Sequence, residues 1–447
     1  MDTLFIEKQR FTQWWLWLLL MVVNILVLNS FVKQIIFGEV VGSRPAPDAV
    51  LFIITLLPIG ITILFYKVRL VTIITSENIS FQFSANGHYQ DSFYGETPFN
   101  AEQFIGFGQF VYNKKINKKH DLLLGVAYRY TFYDDNTNAE YKTTDKKTHL
   151  PGVFLQDEIS LNNQNKLLLG ARVDYNSLHG SIFSPRINYK WNSKENLDIF
   201  RVSVGNGFRV ANVFTEDHAA LTGGREVVFN GELEPETSWN VNLNYVKKII
   251  AKNSFITLDA SAFYTYFDNR ILPDYETDTN KIIYANLNGH SVSKGISLNT
   301  DVLFTNGLTL NFGATLMDVS VTENNIKTQQ LLTESFSGIW SISYKFNNNF
   351  IVDYTGNVYG PMRLPLLEND TRAANSPWYS IQNLQLTKKF SNTWEVYGGV
   401  KNLLNFTPAA NSINNSDNPF SDTFDPSYVY ASNQGIRAFV GLRYTVF

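Results

Sequence analysis

The sequence predicts a membrane protein: a large antiparallel transmembrane β-barrel of about fifteen strands, incomplete at its start, behind an N-terminal two-helix transmembrane hairpin. Three observations carry this reading. Two apolar runs, Trp14–Ile36 and Val50–Tyr66, lie close together near the start of the chain. From residue 88 onward, apolar and polar residues alternate with a period of two. The connections between the alternating segments are short and long in turn.

Composition narrows the alternatives first. Of 447 residues only 17% are charged while 15% are aromatic, whereas a soluble domain carries about 25% charged residues. The net charge of −3 argues against a general attraction to nucleic acid. The chain has no cysteine, which excludes a disulfide framework, a zinc knuckle and a thiol nucleophile. Mean hydropathy is −0.13, too low for a helical transporter. A large membrane region in this chain must therefore be wet on half of its faces, which a barrel is.

The first apolar run is long enough to span a hydrocarbon core of about 30 Å as a helix, and the second suffices with its flanks. The intervening FGEVVGSRPAPD is a Gly/Pro loop suited to a hairpin turn. Lys8 and Arg10 precede the hairpin and Lys67 and Arg69 follow it, which favours both ends on the cytoplasmic side. A cleavable secretory signal is the competing reading. Its core would be about 7–15 residues with a small-x-small site, whereas this run opens with three Trp and continues into SFVKQIIF. Two short β-like runs around Ser76–Asn78 follow, and 1–83 resembles the start of a small bacterial inner-membrane family in which a helical hairpin leads into a β-rich domain. The expected division is 1–83 for this part and 84–447 for the barrel.

Within the barrel part, Leu167, Leu169, Ala171, Val173 and Tyr175 lie on one face of LLLGARVDYN, and Arg172, Asp174 and Asn176 on the other. GLTLNFGATL repeats the pattern. Such alternation is a strand with one greasy and one wet face, which a soluble sandwich also shows. The connections decide between them. Short, Asn- and Lys-rich links such as NNQN, NSKEN, TNG and NN alternate mostly with long ones at 135–149, 209–235, 270–291, 322–331, 362–376 and 405–436, with 178–182 the short exception. Sorting by parity belongs to an outer-membrane barrel, with periplasmic turns opposite extracellular loops. HYQDSFYGETPFNAEQFIGFGQFVY reads as an extracellular loop returning into a strand, the first one at 104–115.

Three segments carry a family resemblance. GNGFRVANVFTE ends a strand through Gly207, Phe208 and Arg209. GELEPETSWNVNLNY enters the next through Leu233, Pro235 and Glu236. VYGGVKNLLNFTP leaves a late strand through Asn402 and Leu403, and the chain ends on an aromatic, Phe447. Together they resemble the C-terminal β-barrel of a TonB-dependent outer-membrane receptor over about 88–447. Ala211 departs from the proline the family often has there, and Phe447 is one residue out of phase with Val440, Leu442, Tyr444 and Val446. The resemblance implies about 22 strands around a plugged lumen, with a signal peptide, a TonB-contacting segment and a plug ahead of the barrel. None of these is found ahead of residue 88, so the chain is expected to be a truncated or chimeric form.

The motif residues Gly207, Phe208, Arg209, Leu233, Pro235, Glu236, Asn402, Leu403 and Phe447 are read as structural, and the ligand-binding residues stay open. His218 beside Glu216 and Asp217 offers a metal-chelate contact or a solvated loop histidine. Asp157 and Glu158 point to opposite faces of one strand and form no acid–base pair. TGGRE lacks the lysine of a phosphate loop, and aromatics at strand ends fit an interfacial girdle. No enzyme, catalytic residue, resident metal or cofactor is predicted. The resemblance implies energy-coupled uptake of a scarce bulky ligand of the ferric siderophore or cobalamin class. Its partners would be membrane lipid, barrel-assembly machinery, a small-molecule metal chelate and, in an intact parent, the TonB complex. The barrel belongs in the outer membrane of a Gram-negative bacterium, while the hairpin would favour the inner membrane. A non-functional fusion, a passive porin or an anchored β-module are the alternatives.

Overall fold

The computed structural model describes residues 78–94, 97–136, 146–210, 225–231, 233–278, 280–366, 373–408, 430–432 and 434–446. The chain clusters into two units, 1–78 and 79–447. The expected helical hairpin falls in the first and lies outside the described residues. Among the described residues no helix is long and apolar enough to cross a membrane.

The second unit is an up-and-down meander. β1 (Asn78–Tyr94), β2 (Thr97–Lys115), β3 (His120–Asp135), β4 (Lys147–Ser160), β5 (Asn165–Asn176), β6 (Gly180–Asn192) and β7 (Asp198–Arg209) follow one another in the wall. Short β8 (Glu226–Phe229) leaves the wall, and β9 (Glu236–Ala251) returns to pair antiparallel with β7. β10 (Ser254–Asn269) pairs with β9; β11 (Ile271–Asp274) and β12 (Lys281–Asn286) leave; β13 (Gly289–Phe304) returns to β10. β14 (Leu308–Glu323), the short β15 (Ile326–Gln329), β16 (Phe336–Lys345), β17 (Phe350–Tyr359), β18 (Tyr379–Lys389), β19 (Trp394–Lys401) and β20 (Arg437–Tyr444) complete the order. The wall thus holds seventeen strands, and β8, β11 and β12 form a separate three-stranded sheet. Setting aside the four-residue β15, sixteen long strands stand side by side, and no pairing joins β20 to β1 among the described residues.

Burial is inverted relative to a soluble fold. On β5, Val173 is 49% exposed while its neighbour Asp174 is 1% exposed. On β13 the outward Ile296 is 63% exposed, and Leu298 on the same strand and Leu316 on β14 continue the apolar band. A sandwich would bury this face at about 25 cal/mol per Å2; a wall in lipid leaves it outward and turns its polar face inward. Exposed Trp239, Tyr264 and Tyr175 near one end of the band, and Trp394, Tyr444 and Phe346 near the other, form the two aromatic girdles that strand-end Trp and Tyr suggested.

The short turns explain their composition. Asn117 Oδ1 accepts from the backbone N of Lys119 and His120 at 2.7 and 3.0 Å, and Asn162 Oδ1 from Gln164 and Asn165 at 2.9 Å each. A short side-chain carbonyl closes the turn that a backbone group would otherwise need. At the TENNIK turn between β14 and β15, Asn324 and Asn325 both have positive φ, 49° and 64°, the requirement of a two-residue type I′ hairpin.

The structure corrects the sequence reading at the start of the wall. HYQDSFY and TPF lie in strands: β1 carries Ile79, Phe81 and Phe83 on one face against Ser80, Gln82 and Ser84 on the other, and β2 begins at Thr97, seven residues before position 104. The count of about fifteen therefore becomes sixteen long strands among the described residues, because Gly87 and Asp91 interrupt the alternation without ending β1. The strands β8, β11, β12 and β15 lie inside segments read as plain loops.

Candidate functional site: the stapled loop end

Parity brings the long connections to one end of the wall, and the structure ties several of them together. β12 pairs antiparallel with β11 and parallel with β8, so the β7–β9 and β10–β13 connections share one sheet. Its apolar side carries Ile271, Ile282 and Tyr284, packed with Leu233, Phe99 and Ala101 into a buried cluster. Phe99 and Ala101 belong to β2, so the small sheet seals against wall strands that are distant in sequence. Residues that alternate in a loop thus make a second, dry core above the wet interior.

Beneath this core sits a charged hinge. Arg209 and Glu236 are register partners on β7 and β9, and Arg209 Nε donates to Glu236 Oε2 at 2.5 Å. Glu236 is only 5% exposed, and its other oxygen accepts from the backbone N of Ile271 at 3.0 Å, fixing where β11 begins. A bulge between Phe267 and Asn269 re-aims the end of β10. Asn269 Nδ2 then donates to the Pro235 carbonyl at 2.9 Å, and Asn286 Nδ2 to Asn269 Oδ1 at 2.9 Å. Arg270 donates to Ser291 Oγ at 3.0 Å and Gln330 Oε1 at 2.7 Å and lies 4.9 Å over the Phe267 ring. Burial holds the Arg270 guanidinium below its ordinary pKa, partly offset by the Glu236 carboxylate; it remains a cation.

A second staple holds the loops to one another. Arg363, after β17, donates to Glu276 Oε2 at 2.6 Å and to the Gln329 carbonyl at 3.2 Å, and forms bridges to Leu331 and Asn375. Three long connections meet at this side chain. Burial raises the pKa of Asp274, but hydrogen bonds from the Thr277 hydroxyl and the backbone N of Glu276 and Thr277 hold it below the usual carboxylate range.

The motif residues therefore have places. Gly207, Phe208 and Arg209 lie opposite Ser238, Thr237 and Glu236, so two of the quoted segments are the two sides of one ladder. Leu233 is in the dry core, and Pro235 supplies a carbonyl acceptor. Asn402, in the left-handed region at φ 54°, donates to the Phe406 and Gln434 carbonyls at 2.7 and 3.1 Å and accepts from Phe406 N at 3.0 Å. Leu403 N donates to the Gln382 carbonyl at 2.8 Å. Phe447 and the Glu216–His218 group lie outside the described residues, and no metal-holding cluster occurs among those described. Asp157 bonds His120 Nδ1 at 2.7 Å while Glu158 pairs with Lys166, consistent with opposite faces. Arg270, Glu276 and Arg363 are the residues the sequence did not single out; a charged residue at each loop foot was the available signal.

An outward apolar band, two girdles, an inward polar face and connections tied together at one end define the wall of an outer-membrane-type β-barrel. Residues 65–403, more than half of the chain, match the family described as TonB dependent receptor-like, beta-barrel, and the chain belongs to that family. Its relatives include the iron-regulated outer membrane virulence protein of two Vibrio cholerae strains, 30% identical over 159 residues, which are 34% of this chain and 23% of that protein. Similar folds are the siderophore receptor PirA of Pseudomonas aeruginosa (TM-score 0.52, 17% identity, 74% of this chain and 62% of that one). Others are a mutant ferric enterobactin receptor (PfeA) of the same species (0.56, 15%, 82% and 58%) and the copper transporter OprC (0.60, 12%, 82% and 62%). The chain spans less than two thirds of these proteins. Receptors of this family are transporters, not enzymes.

Proposed function

We propose that this chain forms the barrel of an outer-membrane receptor for energy-coupled uptake of a scarce iron chelate of the siderophore class. The observation that carries the reading is the pairing of family membership with a mouth held in shape by charged staples. A large ligand captured from dilute solution needs a preorganised loop surface, since ordering loops on binding costs affinity. The iron in the names of the Vibrio relatives favours a ferric chelate over cobalamin. Lipid, barrel-assembly machinery and the TonB complex are the partners this reading entails.

The test is uptake of radiolabelled ferric siderophores by iron-starved Gram-negative cells making the full chain, with and without a functional TonB complex. Coupling-dependent accumulation supports the reading; no accumulation of any tested chelate overturns it. The apolar runs within 1–83 are read as a separate membrane anchor on sequence alone. Density fractionation of the full chain distinguishes the two parts: recovery with outer membrane favours the receptor, and recovery with inner membrane favours a fusion of hairpin and barrel.

A further inference from the structure

The lipid-facing side of β13–β15 changes character within one step at the loop end of the wall. Toward the loops, the outward positions of β13 run Leu298, Ile296, Lys294, Val292 and His290, and those of β14 run Leu316, Asp318, Ser320 and Thr322. Ile296 opposes Leu316 at the upper edge of the apolar band. One rung higher, Lys294 opposes Asp318 on one side and the girdle residue Tyr264 on the other; the two levels are about 7 Å apart along the strand. Lys327 on β15 opposes Thr322 and reaches the same carboxylate. Its Nζ donates to Asp318 Oδ2 at 3.0 Å, and Lys294 Nζ lies 3.6 Å from that oxygen. Both lysines are more than half exposed. Above them the Tyr266 and His290 rings stack at 5.3 Å. Of the carboxylates beyond, Asp268 is held by the Thr237 hydroxyl, and Glu323 accepts from the backbone N of Asn288 at 3.1 Å.

Two ammonium groups thus converge on one carboxylate oxygen at girdle level, with an apolar surface below and a flat aromatic face above. Ion pairs between half-exposed side chains are weak, so Asp318 is a partner that an incoming anion can replace. Lysine binds phosphate as a point charge, and basic clusters beside a membrane-spanning surface hold anionic headgroups. The order apolar, cationic, aromatic along these strands matches an amphiphile whose acyl chains end at a phosphate carried on a sugar. We propose that the outer face of β13–β15 is a docking site for a phosphorylated glycolipid of the leaflet on the loop side. These strands lie in the middle of the wall, so their outward face meets lipid whatever fills the interior. The proposal rests on the wall standing in a membrane and not on iron-chelate uptake.

The experiment is native mass spectrometry of the folded full chain in a neutral detergent, titrated with diphosphoryl lipid A. Saturable occupancy is expected, weakening as the electrolyte concentration rises. Replacing both lysines, Lys294→Gln with Lys327→Gln, should lower the affinity at least about tenfold. Lys247→Gln, on the outward face at the short-turn end and paired with Asp198, should not. Asp318→Asn should raise the affinity, because the competing carboxylate is gone; three groups that merely fasten β15 to β14 would give no such gain. Heat-modifiable mobility on gels verifies that each variant is folded. The absence of saturable occupancy, or an unchanged affinity in either the double lysine variant or Asp318→Asn, would overturn the proposal. So would equal binding of dephosphorylated lipid A, which makes the contact apolar only, or displacement by equimolar inorganic phosphate, which makes it a site for the free ion. A failed uptake assay leaves these spectra untouched, so the two readings fail separately.

Discussion

Arg209→Ala removes the guanidinium whose Nε lies 2.5 Å from Glu236 Oε2 and leaves that carboxylate buried. Breaking a fully buried pair from one side costs about 3–5 kcal/mol. Here Arg209 itself is 52% exposed and the Arg270 charge remains nearby, so the cost falls to about 2–3 kcal/mol. Glu236→Gln keeps the volume and one acceptor, for Ile271 N, but turns an NH2 donor toward Arg209 Nε and so loses the charge-assisted bond, about 1–3 kcal/mol. In the double variant no buried charge is stranded, and its cost should fall below the sum by at least about 1 kcal/mol. Equilibrium urea unfolding in lipid vesicles, read through tryptophan fluorescence, supplies the four free energies; Trp239, three residues from Glu236, is a local reporter. Additivity of the two single variants within about 0.5 kcal/mol would refute the hinge and make the pair an incidental surface contact.

The two faces of the wall should respond oppositely to the same charge. Ile296→Arg on the outer band should cost about 2–4 kcal/mol in vesicle unfolding, while Ser297→Arg, one residue on and facing inward, should cost far less. Gly152 lies opposite Asp174, where a Cβ would run into the carboxylate that Arg172 holds with bonds of 2.6 Å each; Gly152→Ala should destabilise by about 1–3 kcal/mol by overpacking. Arg363→Ala should expose the 270–288 and 324–335 connections to limited proteolysis while leaving barrel mobility on gels unchanged. Because the folded-state pKa of Asp274 is depressed, its contribution is present above the ordinary carboxylate range and is lost as pH falls through the folded value. Hydrogen-exchange protection in the 271–286 segment, corrected for the intrinsic pH dependence of amide exchange, should accordingly fall on acidification, and Asp274→Asn should flatten that dependence.

The wall was legible because a period of two survives in any strand that separates lipid from water: a strand at 165–177 follows from alternation alone, and its ends fall within a residue of the observed β5. The parity of the loops was legible because chain direction reverses at every turn. What escaped was structure whose period is hidden or too short. β1 escaped because Gly87 and Asp91 sit where apolar residues were expected, and a strand in a long ladder tolerates both. β8, β11 and β12 have only four to six residues each, too few for a periodic signal, and the sheet exists because β12 pairs locally with β11 and with β8 across 55 residues of sequence. The hinge escaped for the same reason. Arg209 and Glu236 were visible as separate motifs, yet nothing local states that they are opposite each other, and Arg270 and Arg363 acquire partners only when distant loops converge.

That placement bears on where ligand choice resides. Gly207–Arg209 and Leu233–Glu236 are committed to one β7–β9 ladder, to the start of β11 and to the dry core. Asn402 and Leu403 are committed to closing the turn after β19. Residues already satisfied by their own backbone neighbours have little left to offer a ligand, and burying a ligand against Glu236 would first require breaking its bond to Arg209. The quoted motifs therefore describe how a mouth of this kind is built and not what enters it.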